Sequence, residues 1–250
     1  MNGAEEFQEV IFAKVNAPDV VRRELARPSW IGDEVVIGTA TDPYQQGESR
    51  YRITRGILEA FRDFRNPLSI TTKSPMVLRD LDSLSDLAQD VEVTVHFTVT
   101  TMDETLWRQI EPTTSKPRKR LSAVGKLREH GIRAGIFLSP VLPGLTDDVE
   151  HLEGVVAAAA ATGVDSLSTG VLRLGTGISE YYLPFLEREH PHLVARYQHL
   201  YRGNYAPAQY TQEVQNRVDT LKQRYGIRDS VPIKRKHLES IQLNLFSAAG

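Results

Sequence analysis

Val35-Val36-Ile37-Gly38-Thr39-Ala40-Thr41-Asp42-Pro43-Tyr44-Gln45 predicts a short buried strand that runs out into a polar loop. Consecutive β-branched apolar residues suit a strand covered on both faces. Gly, Thr, Asp and Pro then end it. The same grammar recurs downstream. Leu68-Ser69-Ile70-Thr71-Thr72 runs into Lys73-Ser74, and Val91 to Val99 alternates before Thr100-Thr101-Met102-Asp103. Ile132 to Leu138 runs into Ser139-Pro140-Val141-Leu142-Pro143-Gly144, and Val164 to Leu172 carries Ser166, Ser168 and Thr169 and leads to Arg173.

Between these runs the apolar residues take a helical spacing. Helices are expected from Pro18, a residue suited to a first turn, to Ala26, and over Thr54–Phe64 and Val77–Ala88. Two more are expected over Arg120–His130, closed by Gly131, and over Asp147–Ala161, closed near Gly163. Glycine just past a helix is a frequent cap. Strand and helix in alternation is the rhythm of parallel βα units. One α/β domain follows: residues 1–175 form a partial (β/α) barrel, opened by an extended piece at Glu9–Val15, and 176–227 a helical extension of it. The extension carries Tyr181, Tyr182, Phe185, Tyr197, Tyr201, Tyr205 and Tyr210, expected to pack as a flank on the barrel. Gly175-Thr176-Gly177 lacks the third glycine of a dinucleotide loop and reads as a turn. Residues 228–250 form a tail, basic and then apolar.

Composition narrows the function classes. The chain has 250 residues, 40% hydrophobic and 25% charged, with a formal net charge of -2, so it carries no chain-wide basic footprint for nucleic acid. No apolar run approaches the ~20 residues a membrane helix requires. Met1–Glu6 is small and acidic, unlike a signal peptide. A cytoplasmic location without a membrane partner is expected. Cysteine is absent from the chain, which rules out disulfides, thiolate zinc sites, cysteine nucleophiles and all-cysteine iron–sulfur ligation by these residues.

In parallel α/β folds the loops at the carboxyl ends of the strands build the site. Here those ends form a ring of hydroxyls with one lysine and a few carboxylates, a set suited to a zwitterion and a ribose. Taken singly, the hydroxyls also suit strand-end backbone groups. Lys73 either pairs with an anionic ligand or snorkels at the surface. Asp42 is either a turn residue or a ligand contact. Glu48 either neutralises a ligand ammonium or pairs with Arg50 or Arg55. Arg108, Glu111 and Arg120 form a charged constellation after the third strand that serves either a site or structural salt bridges. His96, alternating within a strand, reads as a core or wall residue, and His190 and His192 lack metal-ligand spacing.

Together these segments resemble the spore-photoproduct-lyase-like branch of the radical S-adenosylmethionine superfamily. The similarity rests on Ile37 to Gln45 with Glu48 and Thr54-Arg55, and on Thr71 to Ser74 with Arg79-Asp80-Leu81-Asp82. It continues in Phe97 to Thr100 with Glu111-Pro112 and Arg120-Leu121, in Pro140 to Asp147, and more weakly through Leu172-Arg173-Leu174 to Tyr205 and Tyr225-Gly226. It implies an incomplete parallel (β/α)6 barrel with a C-terminal helical flank. It also implies S-adenosylmethionine and a 4Fe–4S cluster as the family's cofactors, with reductive cleavage of S-adenosylmethionine to a 5′-deoxyadenosyl radical. By the match, Thr39, Thr41, Asp42 and Tyr44 lie at the methionyl end, and Thr72, Lys73, Thr98 and Thr100 on the carboxylate and ribose side. Pro140 and Arg173 border the adenine. The family's Cys-x3-Cys-x2-Cys loop and the strand before it have no counterpart here, so this chain alone cannot bind the cluster. A truncated form, or a cluster-free remnant without radical chemistry, is expected, with the Val35 strand left unpaired on one side and prone to association.

The tail adds a second idea. Gln242-Leu243-Asn244-Leu245-Phe246, preceded by Lys234-Arg235-Lys236-His237, resembles the short peptides that dock into an apolar groove of the bacterial DNA sliding clamp. On this expectation Gln242, Leu243, Leu245 and Phe246 bind a partner and the protein is repair-associated. The alternative is a tail that packs on its own barrel.

Overall fold

The computed structural model describes residues 12–228. The expected clamp motif therefore lies outside the described residues. Five strands form one parallel sheet in chain order: β1 (Val35–Ile37), β2 (Leu68–Thr72), β3 (Val93–Thr98), β4 (Arg133–Val141) and β5 (Ser166–Val171). The helices are α1 (Ala17–Leu25), α2 (Glu48–Tyr51), α3 (Ile53–Phe64), α4 (Leu81–Ala88), α5 (Glu104–Ile110), α6 (Pro117–Glu129), α7 (Val149–Ala160), α8 (Thr176–Glu189), α9 (Val194–Leu200) and α10 (Ala208–Arg224). This is the parallel α/β architecture expected, with its helical flank. Among the described residues β1 pairs only with β2, as an edge strand.

Alternation along the strands decides which side chains meet the helices. Leu68 and Ile70 of β2, Val93, Val95 and Phe97 of β3, and Ala134, Ile136 and Leu138 of β4 are buried in the main core with Leu58, Phe61, Val124, Leu127 and Val156 from the helices. Burying a Val, Leu, Ile or Phe side chain contributes about 1.5–3 kcal/mol. The opposite, open face carries Thr71, Thr94, His96, Thr98, Arg133, Phe137, Ser139, Ser166 and Ser168, all partly or fully exposed. Parallel sheets are usually apolar on both faces, so a polar open face is the unusual feature of this sheet.

Local chemistry explains the helix positions. In α1 the stripe Ala17, Val21 and Leu25 is buried and faces α3, where Gly56 permits close approach: a Cβ there would lie 2.8 Å from Pro18 Cγ. The helix expected over Val77–Ala88 divides into a 3₁₀ turn, Pro75–Asp80, and α4. Ser74 caps that turn by accepting from the Met76 N–H, and Pro75 fits a first turn. The loop expected after β3 contains α5. Asp103 caps it by accepting from the Thr105 and Leu106 N–H groups at 2.7 and 3.0 Å. Gly175-Thr176-Gly177, expected as a turn, forms the start of α8. A second small core past β4 and β5 joins Leu142, Leu172 and Leu174 to Tyr182, Leu186, Leu193 and Tyr197 of the flank. No helix among the described residues is long and apolar enough to cross a membrane.

A candidate cofactor-facing site at the strand ends

The polar strand ends converge on two carboxylates. Asp42, just past β1, accepts from the Tyr44 N–H at 2.9 Å, the Thr72 hydroxyl at 2.7 Å and the Lys73 N–H at 2.7 Å. It is thus the Asx-type turn residue that fastens the end of β1 to the end of β2. The Thr72 hydroxyl is consumed there, and Thr72 lies on the buried side of β2. Period-2 alternation instead turns Thr71 and Lys73 toward the open face.

The second carboxylate is Glu111, nearly buried at the end of α5. Its Oε1 takes the Lys73 ammonium at 2.9 Å and the Thr100 hydroxyl at 2.9 Å, and its Oε2 takes the Arg120 guanidinium at 2.7 Å. Arg120 is fully buried and also donates to the Thr98 carbonyl at 2.7 Å and the Ser115 carbonyl at 2.8 Å. Every buried charge in this group is hydrogen-bonded, the condition under which burial is tolerated. Burial pushes the Glu111 carboxyl up, but the adjacent Lys73 and Arg120 charges outweigh it and hold the group below the usual carboxylate range. Lys73 is therefore fixed at both ends, by Asp42 at its backbone and by Glu111 at its ammonium. Its side chain stays 33% exposed, leaving two N–H donors for the mouth.

Deeper on the open face His96 stacks on Phe137 at 4.4 Å. Its Nδ1 is buried without a hydrogen-bond partner. A Cβ on Gly135 would lie 2.4 Å from that nitrogen and 2.6 Å from Ser166 Oγ, so glycine makes room for the ring. Burial, aided by Arg133, lowers the imidazole to about 4, so His96 is neutral near pH 7.

The remaining expected residues fall elsewhere. Thr39 and Thr41 are exposed beside Asp42, and Pro140 is half-buried after a cis bond from Ser139. Tyr44 is buried with its hydroxyl donated to Asp80 at 3.1 Å, away from the ring. Arg173 stacks on the exposed Tyr205 at 4.9 Å, beyond β5. Glu48 pairs with Arg79 at 2.8 Å rather than with Arg50 or Arg55. Arg108 joins Glu104 on the surface, leaving Glu111 and Arg120 as the buried pair of their constellation. The structure thus brings Asp42, Thr72, Lys73, Thr98 and Thr100 into one bonded group, with Tyr44 joined to it through its backbone N–H alone, and leaves Arg173 outside it.

The two cofactors implied by the resemblance meet different residues. An open face of hydroxyls and a fixed ammonium offers donors and acceptors for a zwitterionic nucleoside such as S-adenosylmethionine. The 4Fe–4S cluster does not fit. The chain has no thiolate to offer, and the described residues contain no group of three or more histidine, cysteine or acidic side chains that could hold a metal ion.

Comparison with known proteins gives the family and the fold. Uncharacterized proteins of Mycobacterium bovis and Mycobacterium tuberculosis are 38% identical to the chain over 253 residues, covering 98% of it and 74% of their own length. An uncharacterized protein of Methanocaldococcus jannaschii is 33% identical over 144 residues, 58% of the chain and 52% of that protein. Among solved structures, spore photoproduct lyase complexed with dinucleoside spore photoproduct superposes with a TM-score of 0.60 at 14% identity. The alignment covers 86% of this chain and 65% of that one, a likeness of fold. The family model described as Radical SAM superfamily matches residues 11–155, from α1 into the first half of α7, and with them Asp42, Lys73, Glu111 and Arg120. This chain belongs to the radical SAM superfamily.

Proposed function

We propose that this chain forms the cofactor-facing wall of a radical S-adenosylmethionine protein of the spore-photoproduct-lyase-like branch. It receives the methionyl and adenosyl groups at its strand ends and does not itself hold the cluster. The observation that carries this is the two-point fixing of Lys73 by Asp42 and Glu111 beside a polar open face. On this reading Lys73 meets the carboxylate, with Thr98 and Thr100 beside it toward the ribose. Thr39 and Thr41 lie toward the methionyl end, and Pro140 and Arg173 toward the adenine. Tyr44 and Thr72 act indirectly, by holding the loops in place. On this reading the chain's residues orient the nucleoside and exclude water.

The test combines two measurements on the full chain. After anaerobic reconstitution with iron and sulfide, desalted protein is expected to retain no stoichiometric iron. Calorimetric titration with S-adenosylmethionine is expected to show affinity weaker than micromolar, because the family's chelating iron is missing. Stoichiometric iron, or micromolar binding abolished by Lys73→Ala, would overturn the cluster-free part of the proposal.

A second proposal rests on the tail sequence alone: Gln242, Leu243, Leu245 and Phe246 dock the chain to the bacterial sliding clamp in a repair-associated, non-catalytic role. Deleting residues 242–246 is expected to abolish binding to purified clamp. Unchanged binding would remove the idea.

A further inference from the structure

We propose that Glu111 tunes which anion the mouth of the barrel accepts, lowering the advantage that a dianionic phosphate holds over a singly charged carboxylate at Lys73. The inference rests on the reading of the mouth as an adenosyl-binding face. Three observations lead to it. Glu111 bridges two cations, Lys73 at 2.9 Å and Arg120 at 2.7 Å, so the trio carries one net positive charge. The second carboxylate nearby, Asp42, is bound by neutral donors, the Tyr44 and Lys73 N–H groups and the Thr72 hydroxyl, and its charge is the same background in every variant compared. The Arg120 guanidinium is fully buried behind Glu111, so the ammonium of Lys73 is the part of the trio that an incoming anion meets.

The electrostatic consequence follows from Coulomb's law. A ligand anion bound to Lys73 lies within roughly 6 Å of the Glu111 carboxylate, and at an effective dielectric of about 20 the Glu111 charge alone opposes each unit of ligand charge by about a hundredfold. The mouth is partly open to solvent, which reduces this to about tenfold. The attraction to Lys73 grows with ligand charge as well, and Glu111 opposes that growth, once for a carboxylate and twice for a phosphate dianion. Removing the Glu111 charge therefore favours the dianion relative to the carboxylate. A residue that merely supported the fold would weaken both ligands alike.

The experiment compares three adenosine ligands by chemical-shift titration at pH 8 on the full chain. S-adenosylhomocysteine carries a carboxylate at its amino-acid end. Adenosine 5′-monophosphate is a dianion at this pH, its second ionisation lying near 6. 5′-Methylthioadenosine has no charged 5′ group. The wild type is expected to bind both charged ligands more tightly than 5′-methylthioadenosine. In Glu111→Gln the ratio of monophosphate to S-adenosylhomocysteine affinity is expected to rise about tenfold. Lys73→Met leaves the Glu111–Arg120 pair intact, so it serves if the first variant does not fold. In it, S-adenosylhomocysteine is expected to fall to the affinity of methylthioadenosine or below, and the monophosphate further still. The inference fails if the ligands bind but these ratios do not move in either folded variant. If none of the three ligands binds the wild type, the adenosyl reading fails and the inference falls with it.

Discussion

Replacing Arg120 by methionine tests the physical core of this account. The substitution keeps most of the aliphatic volume and removes a fully buried guanidinium that donates to Glu111, to the Thr98 carbonyl and to the Ser115 carbonyl. Breaking a buried ion pair from one side costs about 3–5 kcal/mol, because the partner charge is left uncompensated. Lys73 and Thr100 still reach Glu111, which argues for the lower part of that range. At about 2–4 °C per kcal/mol for a domain of this size, the midpoint of thermal unfolding should fall by roughly 6–20 °C. Urea unfolding followed by far-UV circular dichroism measures the free energy directly. Pairing the change with Glu111→Gln gives a cycle in which the double variant should be more stable than the sum of the single losses by about 1–3 kcal/mol. Acid adds an independent check. The folded Glu111 carboxyl lies below its unfolded value, so its stabilisation is present above about pH 4.5, the ordinary glutamate range, and is lost as pH falls through the depressed folded value. Arg120→Met should flatten that part of the acid profile. A loss under about 1 kcal/mol with an unchanged acid limb would mean that the trio is not the organising element claimed.

Three further outcomes are expected. His96 is held near 4 by burial, against about 6.5 when unfolded. Its neutral form thus stabilises the fold above pH 6.5, and that contribution, about 3 kcal/mol at most, is lost as pH falls toward 4. His96→Leu should remove this dependence from urea midpoints taken at pH 7.5 and 5. Gly38→Ala would place a Cβ 2.0 Å from the Thr71 carbonyl oxygen at a φ of +94°. It should cost about 2 kcal/mol or more, and hydrogen exchange should show the β1–β2 ladder opening first. Asp42 takes the Tyr44 and Thr72 donors on one oxygen and the Lys73 N–H on the other, so Asp42→Asn, which keeps a single acceptor oxygen, should break the bridge between the β1 and β2 ends as Asp42→Ala does, and both should speed exchange of the Lys73 amide.

Much of the fold was legible because its signals are local. The β-branched runs at Val35, Leu68, Val93 and Ile136 mark strands, and Gly131 and Gly163 mark helix ends. Helix α5 was missed because it is short and follows a polar strand end. Its signal was present in Asp103 as a cap and in the apolar spacing of Leu106, Trp107 and Ile110. The site was only half legible. Glycine, aspartate and threonine at strand ends showed where it lies, but not which side chains meet. Lys73 joins Glu111 across 38 positions and Glu48 joins Arg79 across 31, and only tertiary packing decides such pairings. Thr72 could have been separated from Thr71 and Lys73 by alternation alone, since it shares the face of Leu68 and Ile70. The orphaned nitrogen of His96 has no sequence signature, because it depends on Gly135 and Ser166 from other strands.

The central claim is that this chain presents an adenosyl-binding wall at its strand ends. The most direct measurement is an amide chemical-shift map of the full chain titrated with S-adenosylhomocysteine. The account predicts perturbations concentrated at residues 39–42, 72–74, 98–101 and 139–141. Perturbations confined to the flank beyond β5, or none at saturating ligand, would contradict it.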